Sequence, residues 1–158
     1  MKHLGKFTGM VVVAAVLFLV ALFGESGALG AVVSGGLKQG TSLEDWIADF
    51  IDWRLAGAVA GVFAAFLWYV LGQWVLRVEH PIESERRPVW LVLAAIPALA
   101  ALVGLVEMRT PAEGGWLMYV FLIYGPILCY YLCTALFSPS SYRDTPLGAA
   151  ALRRLTGR

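Results

Sequence analysis

Charged residues are scarce in this sequence, and their scarcity excludes several classes of protein. Only 15% of the 158 residues are Asp, Glu, Lys or Arg, whereas 59% are hydrophobic. Soluble domains carry roughly a quarter charged residues. The formal net charge of +1 provides no basic surplus of the kind that nucleic-acid-binding domains use, so we expect no nucleic-acid partner. The apolar residues fall in long runs, which is typical of a chain that lies in the lipid bilayer.

Residues that build chemical sites are equally rare. The sequence has two cysteines and two histidines. Both cysteines lie in one apolar run, so they cannot form a disulfide framework, and apolar surroundings keep thiols protonated and unreactive. The sequence has no phosphate-binding loop, no dinucleotide-binding glycine motif and no HExxH motif. We therefore predict no catalytic residues, no metal and no cofactor, and we do not expect an enzyme. No soluble small-molecule substrate can be identified.

Four apolar runs are long enough to cross a membrane as helices, because a helix rises about 1.5 Å per residue and the hydrocarbon layer is about 30 Å thick. The runs cover about residues 7–24, 55–76, 89–106 and 116–137. The first run follows basic residues and precedes small ones, a pattern that also describes a signal peptide. We expect it to be retained as a helix, because Val32 and Val33 lengthen it. The predicted fold is a single all-α membrane domain, a bundle of four transmembrane helices.

The basic residues predict the orientation of this bundle. Nine lie on the side that carries both termini and three on the other side, and basic residues resist translocation across the membrane. Both termini are therefore predicted to face the cytoplasm, with the bacterial inner membrane as the expected location. The nine are Lys2, Lys6, Arg77, Arg86, Arg87, Arg143, Arg153, Arg154 and Arg158, and the three are Lys38, Arg54 and Arg109.

Residues 42–53, between the first two runs, have the pattern of an amphipathic helix. Thr41 and Glu44 have the spacing of a capping box, in which each side chain bonds a free backbone amide. Apolar and acidic residues then alternate at helical spacing. One interpretation is a helix lying on the outer membrane surface, and the other is a docking surface for a partner protein. The candidate docking residues are Glu44, Asp45, Trp46, Asp49, Phe50 and Asp52.

Small residues recur along the second predicted span. Gly57, Gly61 and Ala65 are spaced four residues apart and therefore share one helix face. Small residues at this spacing allow two helix backbones to approach closely in a membrane. We predict a helix-packing interface on this face. The pattern does not tell whether its neighbour belongs to the same chain.

The C-terminal tail, residues 138–158, adds a second candidate interaction surface. A short helix is predicted after Pro146, and Arg153, Arg154 and Arg158 make the end of the tail basic. Such a segment can lie on anionic lipid headgroups or bind a cytoplasmic protein. Both interpretations stay open.

Charges inside the spans usually mark an ion or proton path, and the predicted spans have none near their centres. Glu25 and Glu107 are expected at the outer helix ends, where water is accessible. With no catalytic residues and several association surfaces, the sequence favours a structural or accessory subunit of a multi-protein inner-membrane complex. Its partners would be the lipid bilayer and other subunits or further copies of the chain. The alternative is a small channel or transporter that forms by homo-oligomerisation.

Cysteine labelling tests the predicted orientation. A cysteine introduced at Ser84 or Ser141 should react with a membrane-impermeant maleimide only from the cytoplasmic side, because both positions lie on the basic-rich side. A cysteine at Ser42 should react only from outside. Labelling of position 84 from outside would overturn the predicted topology.

Overall fold

The computed structural model describes residues 2–33, 42–74, 83–108, 116–138, 146 and 148–155. These residues are almost entirely helical and include no β-strand. A first long helix consists of α1 (Lys2–Val20), a π-helical turn (Ala21–Glu25) and α2 (Ser26–Val33). It is followed by α3 (Leu43–Trp74), α4 (Glu83–Glu107), α5 (Trp116–Phe137) and the short α6 (Ala149–Leu155).

Four of these helical segments are long and apolar enough to cross a membrane, which confirms the prediction of an all-α membrane protein with a helix bundle. They are Leu4–Val33, Leu43–Gly72, Arg86–Glu107 and Trp116–Phe137. We call the end of the bundle at which α1 begins and α5 ends the inner end, and the opposite one the outer end. Prolines 88, 97 and 126 lie within helices without ending them, as membrane helices tolerate when neighbouring groups satisfy the freed carbonyls.

The first two membrane helices extend further toward the outer end than the sequence suggests. The amphipathic segment predicted at 42–53 continues without a break into the second span, and together they form α3. No glycine or proline lies between Leu43 and Arg54 to end the helix. Trp46 and Phe50 are buried inside the bundle. Tertiary packing therefore holds this segment in line with the span.

The N-terminus of α3 is capped by a serine. The backbone amide of Asp45 donates to Ser42 Oγ at 3.0 Å, and the Ser42 hydroxyl donates to the Asp45 carboxylate at 2.7 Å. A serine that accepts from the third helical residue is a favourable N-cap. The capping box was predicted on Thr41 and Glu44, one residue earlier, and Thr41 lies outside the described residues.

Helices α3 and α5 form the centre of the bundle and run in the same direction, since α4 returns the chain between them. Their contacts follow in order from the outer to the inner end. Phe50 lies near Phe121 with ring centroids 6.4 Å apart, and Gly61 faces the backbone of Pro126. At the inner end, Trp68 Nε1 donates to Ser138 Oγ at 2.9 Å.

The predicted small-residue face of α3 packs against α5 of the same chain. A Cβ atom added to Gly61 would lie 2.9 Å from the Pro126 carbonyl oxygen and 3.2 Å from Cys129 Cβ. Gly57 packs on the Pro126 ring, and Ala65 is fully buried in the core next to Cys129. The small residues thus let two membrane helices approach within the chain, the geometry of small-residue interfaces in bilayers.

Polar side chains form hydrogen bonds between helices at the inner end. Tyr130 OH donates to the Trp90 carbonyl oxygen at 2.8 Å, and Trp90 Nε1 donates to Thr134 Oγ1 at 3.0 Å. The Trp90 and Tyr130 rings stack with centroids 5.2 Å apart. These bonds join α4 to α5 where lipid offers no hydrogen-bond partners.

Bulk added at Gly61 should destabilise the bundle. We expect Gly61→Leu to lower the free energy of unfolding by at least about 1–3 kcal/mol, the usual cost of overpacking, because the Pro126 backbone cannot move aside. Val70→Leu, on a half-buried position of the same helix, should be nearly neutral. Thermal unfolding in detergent compares the two. A Gly61→Leu variant that melts like the wild type would place this face against lipid.

An intramembrane ion-pair cluster as the candidate functional site

A glutamate lies inside the bundle at the end of the π-helical turn. The backbone amide of Ser26 bonds to the carbonyl of Ala21, five residues earlier, where an α-helix would bond four residues earlier. This extra residue in the turn changes the direction of the side chains that follow. Glu25, the last residue of the turn, is buried. Such π-helical bulges are frequent at functional sites.

Arg54 of α3 binds this glutamate with two parallel hydrogen bonds. Arg54 Nε donates to Glu25 Oε2 at 2.7 Å, and Arg54 Nη2 donates to Oε1 at 2.8 Å. Both side chains are 5% exposed. Two parallel bonds fix the relative orientation of the two groups as well as their distance. The first long helix and α3 are therefore joined by a buried, fork-shaped ion pair.

Helix α5 completes the cluster. Tyr124 OH donates to Glu25 Oε1, and the Arg54 guanidinium lies 5.6 Å from the centroid of the Tyr124 ring. A Cβ atom on the neighbouring Gly125 would overlap the guanidinium group. Position 125 must therefore be glycine for the arginine to occupy this site. The cluster consists of Glu25, Arg54 and Tyr124, and Gly125 provides the space for it.

The cluster lies well inside the predicted membrane layer. Tyr124 and Gly125 follow Trp116, the first residue of α5, by eight and nine residues. At about 1.5 Å per residue, they lie roughly 12–14 Å from the outer end of a helix about 33 Å long. Phe137, at the inner end, is a further twelve residues away. The part of α5 that contacts the ion pair is thus the middle third of that helix.

In this cluster the charges of Glu25 and Arg54 neutralise each other. The effective cost of removing a carboxylate or a guanidinium from water is several kcal/mol per ion, and it is offset only by close, well-hydrogen-bonded pairing. Here the carboxylate accepts three hydrogen bonds from two helices. Among the residues that the structure describes, no group of three metal-ligating side chains comes together. The cluster is thus a neutral polar connection between three membrane helices.

This site was not predicted from the sequence. Glu25 was expected at an outer helix end and Arg54 on the outer side of the membrane, but both are buried in the structure. The reason is the length of the two helices, since both residues look terminal only if the spans end at 24 and begin at 55. The available signal was an acid that lies between the apolar stretches 16–23 and 28–33, together with an arginine between Trp53 and Leu55. Without Arg54 the basic residues number nine against two, and the predicted orientation is unchanged.

The two sides of the predicted docking helix have different environments. Trp46 and Phe50 are buried at the outer end, in a cluster with Leu29, Met118 and others, so they are core residues. The acidic side chains point away from the bundle and are exposed. They are Glu44, Asp45, Asp49 and Asp52. We call these four residues the acidic face of α3.

The basic tail is described only in part. Helix α6 follows Gly148, which has a positive φ of 82°, a conformation that glycine adopts without strain. Ala149 is buried, whereas Arg154 and Leu155 are exposed. Nothing is described of the Arg153 side chain, and Arg158 lies outside the described residues. Within the described residues, the tail helix thus begins against the bundle and exposes Arg154.

Comparison with known protein families, with characterised proteins and with solved structures finds no match to this chain.

Removing one partner of the ion pair should cost more than removing both. We expect Glu25→Leu or Arg54→Met alone to destabilise the protein by about 3–5 kcal/mol, because each leaves an uncompensated buried charge. The double variant should be more stable than either single variant. Unfolding in mixed micelles measures all three.

The exposed Glu107, near the outer end of α4, provides the control. Glu107→Gln should change the free energy of unfolding by no more than about 0.5 kcal/mol, as is usual for surface substitutions. Strictly additive effects of Glu25→Leu and Arg54→Met would contradict a direct interaction between the two side chains.

Proposed function

We propose that this protein is a structural or accessory subunit of a multi-protein complex in the bacterial inner membrane. The observation that carries the proposal is the exposed acidic face of α3 at the outer end of the bundle. It is supported by the orientation predicted from the basic residues, which puts this face outside the cytoplasm.

Apart from the hydrogen bond that Asp45 accepts from Ser42 at the start of the helix, the acidic face is directed away from the described bundle. The opposite side of the same helix is used for core packing, through Trp46 and Phe50. A helix with four exposed carboxylates gains no attraction from lipid headgroups, since these are neutral or anionic. A basic surface on another protein is the partner that this charge pattern fits, and complementary charge contributes chiefly to specificity and to the rate of association.

Association within the membrane must use other surfaces than the small-residue face. Gly57 and Gly61 are already occupied by α5 of the same chain. Much of the first helix and of α4 faces away from the bundle, because only 11% and 17% of an 18-residue apolar stretch of each are buried, against 50% for α5. These two helices are therefore the surfaces available to neighbouring subunits in the bilayer.

The second candidate function, a small homo-oligomeric channel or transporter, is favoured by one observation. Ionisable residues inside a membrane bundle commonly mark a transport path, and Glu25 and Arg54 are such residues. Opening a path there would require their two hydrogen bonds to separate. Purification as a defined homo-oligomer without other polypeptides, with ion flux in proteoliposomes that Glu25→Gln alters, would favour this candidate.

Neutralising the acidic face should weaken binding to the partner. We expect a variant with Asp45, Asp49 and Asp52 replaced by Asn to retain its partners only partially in a pull-down from mild detergent. Exposed pairs contribute about 0.2–1 kcal/mol each, so three lost charges reduce binding without abolishing it.

Salt provides an independent check, because exposed charge pairs are screened. Raising the salt concentration should reproduce the effect of the triple variant in the wild type and add little to the variant itself. Glu107→Gln, an exposed acid on α4 near the same end, is the control and should bind normally. If the triple variant keeps all partners at every salt concentration, the acidic face is not a docking surface.

A further inference from the structure

An apolar groove of about 500 Å³ lies between α1 and α3 on the membrane-facing surface. Its walls are almost entirely hydrocarbon. They include Val11, Ala15 and Phe18 from α1 and Leu55, Val59 and Phe63 from α3. Val59 and Phe63 are more than half exposed, so the groove is open to the bilayer.

The groove extends from the inner end of the bundle to its middle. Phe7 and Phe66 lie at one end, in edge-to-face contact with ring centroids 5.4 Å apart, and Phe18 and Leu55 lie at the other. Eleven residues separate the two ends on each helix, which corresponds to about 16 Å at the rise of an α-helix. Gly9, two residues after Phe7, packs on Phe137 at the inner end of α5. The groove therefore spans about half of the roughly 30 Å hydrocarbon layer, the depth of one leaflet.

The dimensions of the groove suit a single flexible hydrocarbon chain. A volume of 500 Å³ over this length corresponds to a mean cross-section of about 30 Å². An α-helix with side chains is about 10 Å across, so only its side chains, and not its backbone, would enter a groove of this width. A single flexible hydrocarbon chain fits the space and matches the apolar lining.

A positive charge lies at the inner end of the groove. Lys6, adjacent to Phe7, reaches from α1 to α3, where its Nζ lies 5.1 Å from the centroid of the Tyr69 ring. Tyr69 follows Phe66 by about one helical turn. The ammonium group is thus located just beyond the aromatic end of the groove, and we expect the lipid headgroups to begin at this level. Lysine at this level attracts anionic headgroups.

We propose that this groove binds one acyl chain of an anionic phospholipid from the leaflet at the inner end, with Lys6 at the headgroup phosphate. In the predicted orientation this is the cytoplasmic leaflet. Lipids of that leaflet would enter from the side, since Val59 and Phe63 are open to the membrane. The charge at the mouth selects anionic over zwitterionic headgroups, and the apolar walls hold the chain.

Native mass spectrometry tests this proposal on full-length protein taken from nanodiscs of phosphatidylglycerol and phosphatidylethanolamine. The wild type should retain phosphatidylglycerol in preference to phosphatidylethanolamine. Lys6→Gln should reduce the preference about fivefold, the change expected for one basic residue near an anionic surface, whereas Lys6→Arg should keep it. Val59→Phe should fill the groove and reduce retention of both lipids.

Val103→Phe is the matched control, because it makes the same change at an exposed position of α4 away from the groove. It should retain lipid like the wild type. Equal retention by Val59→Phe and Val103→Phe would overturn the proposal. A Val59→Cys variant that forms disulfide-linked dimers in membranes, when Val103→Cys does not, would overturn it in favour of a second copy at this surface.

Discussion

Charge compensation in a medium without water is the constraint on which this fold depends. Glu25 and Arg54 belong to different helices, and either one alone would be expensive to bury in the bilayer. Their two hydrogen bonds, at 2.7 and 2.8 Å, can form only at one axial position and one rotation of the first long helix relative to α3. A shift of one residue rotates a helix face by about 100° and would turn a charge toward lipid. The pair therefore determines the register of two helices.

Several local features make this register possible. The π-helical turn redirects Glu25, and the missing side chain at Gly125 leaves space for the guanidinium group. Tyr124, next to that glycine, connects α5 to the same carboxylate. The close approach of α3 and α5 at Gly61 brings the arginine within reach of α5. In a bilayer, lipid tails are as apolar as the side chains, so helix association depends on such close packing and polar bonds.

The sequence predicts the bundle much better than the site. Four apolar runs are enough to infer four membrane helices, because bilayer thickness fixes the length required. The Glu25–Arg54 pair was missed, because it depends on where each helix ends and on a π-helical turn that no residue pattern predicts. Helix ends are the least reliable part of a prediction from sequence, and here a shift of the end by a few turns moves both charges from water into the bundle.

The buried charges are paired within the chain, so the contacts that hold the bundle together are distinct from the surfaces that stay exposed. The ion pair and the small residues of α3 are used for contacts within the chain, so neither is available to hold a neighbour. What stays exposed differs in sign between the two ends, with the acidic face of α3 at the outer end and Arg154 at the inner end. Apolar contacts in the bilayer discriminate weakly between partners, whereas charge at the membrane surface discriminates strongly. For the proposed subunit function, specificity for partners is therefore expected to lie at the two membrane surfaces, with the bundle between them holding these surfaces at a fixed distance and orientation.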